Sequence, residues 1–140
     1  MPGYGWVSFT TDYGLRDGFV AAMHGVLARQ APWVRVIDIT HQVNPGDVAG
    51  GAAVLAQTVR HLPAAVHVAV VDPGVGTARR AIAVQTPGGV LVGPDNGLLP
   101  GAARELGGVT AVVHLTNPAW HAPAVSPTFH GRDIFAPVAA

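Results

Sequence analysis

The sequence predicts a single α/β domain: a mostly parallel sheet with helices on both faces. Three observations carry this expectation. Short runs rich in Val and Ile alternate with stretches of helical periodicity, in the order strand, helix, strand, helix, strand. The central run, 66–71, is nearly all Val and Ala, as a strand covered on both faces should be. Polar residues follow each of these strands: Asp12 and Asp17, His41, Asp72, and later Asn96. In open α/β sheets the carboxyl ends of the strands line up along one edge, where ligands bind.

Residues 6–10 read as the first strand, running into a polar loop over 10–18. A helix follows with Phe19, Met23, Val26, Leu27 and Gln30 on one stripe, and Ala31-Pro32 ends it. Residues 34–40 form a second strand. Asn44-Pro45-Gly46-Asp47 reads as a helix start, with Asn44 as the cap and Pro45 in the first turn. Val48, Ala52, Leu55, Val59 and Leu62 then continue the helical period until Pro63. The central strand ends at Asp72-Pro73-Gly74. Residues 81–86 and 90–92 make a hairpin around Pro87-Gly88-Gly89. A polar loop at 93–97, a short helix over 98–106 and a last strand over 109–115 follow. Residues 117–128 read as loop, and 129–140 begins like a helix. The whole describes a Rossmann-like three-layer sandwich.

Composition narrows the function classes. The chain has 140 residues, 49% hydrophobic and only 11% charged, where about 25% is usual. So little charge suggests that part of the surface is covered by other protein. The formal net charge is +0 with no basic run, so no nucleic-acid partner is expected. There is no cysteine, which removes disulfides and thiolate chemistry. The N-terminus has no basic segment leading into an apolar one, and no run suits a bilayer. The expectation is a cytoplasmic protein without membrane contact.

The chemistry centres on Asp72. It ends a buried strand, glycines at 74 and 76 allow close backbone approach to a ligand, and Arg79 and Arg80 follow. The bland alternative is a turn cap. Asp12 and Asp17 on one loop suit ribose hydroxyls or a ligand ammonium, unless they only cap the first helix. That loop lacks the G-x-G-x-x-G spacing, so NAD is not expected, and with no lysine in the chain a P-loop is impossible. His24 reads as a surface residue, His67 as structural, and His41 as a site residue or a cap. His130 lies in Phe129-His130-Gly131-Arg132-Asp133 and can meet Asp72 and an arginine if the loop before it folds back over the sheet edge. Metal-ligand spacing is absent, as is a G-x-S-x-G elbow. Neither a metal nor a cofactor is expected.

Five blocks occur together in order: Thr10-Thr11-Asp12-Tyr13-Gly14 with Asp17-Gly18; Asp38-Ile39-Thr40-His41; Val71-Asp72-Pro73-Gly74-Val75-Gly76-Thr77; Gly93-Pro94-Asp95-Asn96-Gly97-Leu98-Leu99; and Phe129-His130-Gly131-Arg132-Asp133. In these the chain resembles the SAM hydroxide adenosyltransferase family, which is related to the S-adenosyl-L-methionine (SAM)-dependent fluorinase and chlorinase. The resemblance implies an N-terminal α/β domain, a C-terminal β-barrel domain and a homotrimer, with SAM bound between neighbouring subunits. It implies attack of activated water on C5′ of SAM, giving adenosine and methionine. The Asp-Arg-His set that activates water would fall on Asp72, Arg79 and His130. Asp12 would hold the ribose hydroxyls and Asp17 the methionine ammonium. Thr11, Asn96 and Gly131, in the matching blocks, join them as expected substrate-binding positions.

The related halogenases carry Tyr and Thr where this chain has Asp72 and Val75, and the fluorinase has Ser at Gly131, differences that point to water rather than halide. Halogenase relatives also place a large aromatic near Gly46. Residues 1–140 thus read as the family's N-terminal SAM/adenosine-binding domain without the barrel, a truncated form. Two rival expectations remain beside SAM hydrolysis: a non-catalytic SAM or adenosine binding module, and a metal-dependent hydrolase on the same fold.

Overall fold

The computed structural model describes residues 3–75 and 77–116. Elements run β1 (Trp6–Thr11), α1 (Phe19–Gln30), β2 (Arg35–Thr40), α2 (Val48–Val59), β3 (Val66–Val70), β4 (Ala81–Thr86), β5 (Gly89–Pro94), α3 (Pro100–Glu105) and β6 (Ala111–His114). They form one six-stranded sheet in the order β2-β1-β3-β5-β4-β6. β1 pairs in parallel with β2 and with β3, and β3 in parallel with β5. β4 runs antiparallel to both β5 and β6. The expected α/β class, mostly parallel with a hairpin, is what the chain adopts.

The chirality of the connections builds the site. From β1 the chain crosses to β2 on one side of β1, then returns to β3 on its other side. Parallel crossovers are right-handed, so two that travel in opposite directions lie on opposite faces. The core obeys this. Val20, Met23 and Leu27 of α1 pack with Val7, Phe9, Val68 and Val70. Leu55 and Val59 of α2, with Ala102 and Ala103 of α3, pack on Ala69, Val71 and Leu91. Alternate residues of β3 thus feed two cores. The direction of winding reverses between β1 and β3, and their carboxyl ends open a crevice there. On the second face α2 lies so close that a Cβ at Gly51 would sit 3.0 Å from Val71.

Several boundaries differ from expectation. α2 begins at Val48, capped by Asp47, whose carboxylate accepts from the Gly50 amide at 2.9 Å. Asn44 is not the cap. Gly46 has φ +74°, which no helix contains, so 44–47 closes as a turn before the helix starts. At its far end α2 tightens into turns at His61 and Leu62 rather than reaching Leu62 as helix. α3 is shorter than expected: it starts at Pro100 rather than at Leu98, and at the other end Gly107 and Gly108 take positive φ and stop it. Neither Asp12 nor Asp17 caps α1, whose N-cap is Gly18 with no side-chain bond. No helix of the described residues is long and apolar enough to cross a membrane. The expected loop and helix start beyond residue 116 lie outside the described residues.

One polar pair is sealed into the sheet. His67 and Ser8 face each other across β3 and β1, 2.7 Å apart between Nδ1 and Oγ. His67 is fully buried, and its Nε2 finds no partner among the described residues. Burial pushes its pKa down to about 4. The folded protein therefore resists a proton that the unfolded chain accepts at its ordinary value near 6.5. Stability is complete above that value and falls as pH drops toward 4, a loss of about 3 kcal/mol in full. Urea midpoints taken from about pH 7 to about pH 4.5 should fall, and the slope should flatten in His67→Asn. Equal slopes in the two proteins would assign the acid sensitivity elsewhere.

Candidate active site at the carboxyl ends of β1 and β3

Asp72 stands two residues beyond β3. Pro73 ends the ladder and the chain turns tightly, with Val75 N–H donating to the Asp72 carbonyl at 3.1 Å and Thr77 N–H to that of Gly74 at 3.0 Å. The Thr77 hydroxyl donates to the same Gly74 carbonyl at 2.5 Å. These turns bring Arg79 back over Asp72. Arg79 Nε donates to Oδ1 at 2.9 Å and to Oδ2 at 3.1 Å, and Nη2 donates to Oδ2. The side chains are only 5% and 11% exposed for Asp72 and Arg79. This is a forked, charge-assisted pair in a largely dry place, the arrangement for which a guanidinium is suited and an ammonium is not. Arg80 points elsewhere: it is exposed, with Nη1 3.4 Å from His114 Nε2. Of these two arginines, Arg79 alone reaches Asp72.

Asp12 follows the neighbouring strand. Thr11 pairs with Val70, so both chains leave the sheet together. The Asp12 carboxylate accepts from the Gly46 amide at 2.8 Å through Oδ2, and Oδ1 has no hydrogen bond among the described residues. A Cβ at Gly46 would lie 3.8 Å from Pro73, so the loops after β1, β2 and β3 touch. Asp17 is exposed on the same loop as Asp12, without a bonded partner among the described residues.

Two expected substrate contacts face other partners. Thr11 is fully buried; the first strand runs one residue further than expected, which turns Thr11 inward. Its Oγ1 is 2.7 Å from His41 Nδ1 and accepts the Tyr13 amide at 3.2 Å. Asn96 donates through Nδ2 to the Val71 carbonyl at 2.9 Å and accepts the Leu98 amide at 3.2 Å. It ties the loop after β5 to the end of β3, immediately before Asp72. His130 and Gly131 lie outside the described residues.

Sequence reasoning assigned no role to Asp38, and left His41 between site and cap. His41 is buried, with Nε2 2.7 Å from Asp38 Oδ1; His24 Nε2 is 3.0 Å from the same oxygen. Burial pushes the Asp38 carboxyl up, but the hydrogen bonds and charges of His41 and His24 outweigh it and hold it below its ordinary value. The signal available was the block Asp38-Ile39-Thr40-His41 itself, which places both side chains at one strand end. Among the described residues no three His, Asp or Glu come together so as to hold a metal ion.

Open α/β domains as a class bind small ligands at the strand ends, and here a carboxylate–arginine pair and a second carboxylate stand at the winding reversal. Residues 7–140 match the SAM hydroxide adenosyltransferase N-terminal domain, and the chain belongs to that family. It is 75% identical over 135 residues to the (R)-S-adenosyl-L-methionine hydrolase of Salinispora arenicola, covering 96% of this chain and 52% of that protein. A fluorinase of an Actinoplanes species is 27% identical, over 93% of this chain and 51% of its own length. The crystal structure of an uncharacterized conserved protein from Thermotoga maritima superposes with a TM-score of 0.88 at 41% identity, over 95% of this chain and 52% of that one. The chain spans about half the length of the curated relatives it matches.

The ion pair makes a stability prediction. Arg79→Ala strands a buried carboxylate and should destabilise the fold by about 3 kcal/mol or more, whereas Arg80→Ala should stay within about 0.5 kcal/mol. Denaturant titration of both variants measures this; comparable losses would mean that the buried pair carries no special weight.

Proposed function

We propose that the complete protein hydrolyses S-adenosyl-L-methionine to adenosine and L-methionine, with water attacking C5′. The observation that carries this reading is the buried Asp72–Arg79 pair, with Asp12 after the neighbouring strand, in a chain so similar to a protein named as an (R)-S-adenosyl-L-methionine hydrolase. The sulfonium is already a good leaving group: when C5′–S breaks, its electron pair returns to sulfur as a neutral thioether. Water is the weak partner and needs orienting and a proton acceptor. Asp72 fills that role. A carboxylate offers about four lone-pair sites, so the arginine fork leaves room for one water. Arg79 fixes the carboxylate's orientation, and His130 completes the set. Asp12 holds the ribose hydroxyls through Oδ1, and Asp17 pairs with the methionine ammonium.

The choice of water over halide follows from charge. A carboxylate at the nucleophile's position repels an anion and attracts the hydrogens of water. The reading includes no cofactor, since the leaving group is built into the substrate. It also includes a homotrimer in the cytoplasm, with the second domain of a neighbouring subunit closing over SAM to exclude bulk water. The support for that assembly is the family resemblance and the half-length match; the balanced charge favours neither nucleic acid nor membrane as a partner.

The test is chromatography of SAM incubated with the complete gene product. Adenosine should accumulate with methionine, unaffected by chelators. Asp72→Asn keeps the shape but loses the charge, so adenosine release should fall ~10²–10⁴-fold while SAM still binds. Near-normal turnover in Asp72→Asn would overturn the mechanism. Binding of SAM without any adenosine in the native protein would favour a binding module instead.

A further inference from the structure

The loop that carries Asp12 is held from behind by a chain of hydrogen bonds that none of the substrate contacts requires. Asp38, as a carboxylate, can only accept, so His41 Nε2–H donates to it. In the neutral imidazole that fixes the tautomer: His41 Nδ1 is left as the acceptor, and the Thr11 hydroxyl donates to it. With its hydrogen committed, Thr11 Oγ1 presents a lone pair to the Tyr13 amide. The His41 carbonyl meanwhile accepts the Gly14 amide at 2.7 Å. Thr11, Tyr13 and Gly14 flank Asp12 on both sides, so each of these bonds constrains the backbone on which the Asp12 carboxylate is mounted. Thr11 and His41 are buried, and Phe9 packs its ring 6.4 Å from that of His41, which keeps water from substituting for either partner.

We infer that Asp38 and His41 are positioning residues for nucleoside binding: they direct the Thr11 hydroxyl and so lock the Thr11-to-Gly14 turn that aims Asp12 at the ribose. This rests on the reading of Asp12 as the ribose ligand. Touching no substrate themselves, Asp38 and His41 act only through the turn. The side-chain chemistry also sorts the substitutions. His41→Asn keeps a carbonyl oxygen near the place of Nδ1, where the Thr11 hydroxyl can still donate. His41→Ala offers nothing. Thr11→Val keeps the buried shape and loses the relay.

The test uses the complete gene product, with adenosine as the probe and amide hydrogen exchange as an independent readout. His41→Ala and Thr11→Val should speed exchange at the Tyr13 amide and weaken adenosine binding about tenfold, the effect of losing one to two hydrogen bonds. His41→Asn should restore most of the affinity and most of the protection at Tyr13. If Thr11→Val binds adenosine as the native protein does, or if His41→Asn is as impaired as His41→Ala in both readouts, the relay is refuted while the proposed reaction stands. A native protein that binds no adenosine refutes the ribose role of Asp12, and the positioning role falls with it.

Discussion

The ion pair of Asp72 with Arg79 is the constraint on which the site depends. A carboxylate 5% exposed cannot stay charged in such a place alone, and a guanidinium 11% exposed cannot either. Each makes the other tenable. Their union also dictates backbone: the turns at 72–77 have to reverse the chain within a few residues so that Arg79 can reach back. A Cβ at Gly74 would come within 3.3 Å of the Arg79 stem, so the turn is packed against the side chain it delivers. Chemistry and local fold are one arrangement here, and the buried charge that folding must accommodate is the charge that the proposed reaction uses.

Around that pair the sheet supplies position rather than chemistry. Two right-handed crossovers on opposite faces leave the ends of β1 and β3 side by side. Hydrogen bonds then fasten the segments after β1 and β2 to each other, Asp12 to Gly46 and Thr11 to His41, and tie the loop after β5 to the end of β3, Asn96 to Val71. None of these bonds lies within a single element, so the geometry of the crevice reports the packing of the whole described domain. The small residues of α2 serve the same end, because Gly51 lets the helix settle onto Val71, the residue before Asp72.

Much of this was legible in the sequence, for identifiable reasons. A Val-rich run ending in Asp-Pro-Gly has few structural readings, and Asp72 stands where that run placed it. Arg79 and Arg80 follow closely enough for an arginine to reach back to Asp72, and Arg79 does so while Arg80 lies near His114. What could not be read depended on one torsion or on distant partners. Gly46 with positive φ shifted the cap of α2 from Asn44 to Asp47. One further residue in β1 turned Thr11 into the interior, where its partner His41 is 30 positions away. Asn96 met a carbonyl 25 positions away, which no local pattern announces. Asp38 lies within β2 and its carboxylate is half-exposed, so only the two histidines beside it, 14 and three positions away, distinguish it from an ordinary solvated side chain.

The central claim is that this strand-end crevice delivers water to C5′ of a sulfonium nucleoside. Turnover of SAM by the complete gene product in water enriched in heavy oxygen tests it most directly. Mass spectrometry should find the label in adenosine, at the 5′ hydroxyl, with methionine unlabelled. Unlabelled adenosine, label in methionine, or products cleaved at a different bond would contradict the account.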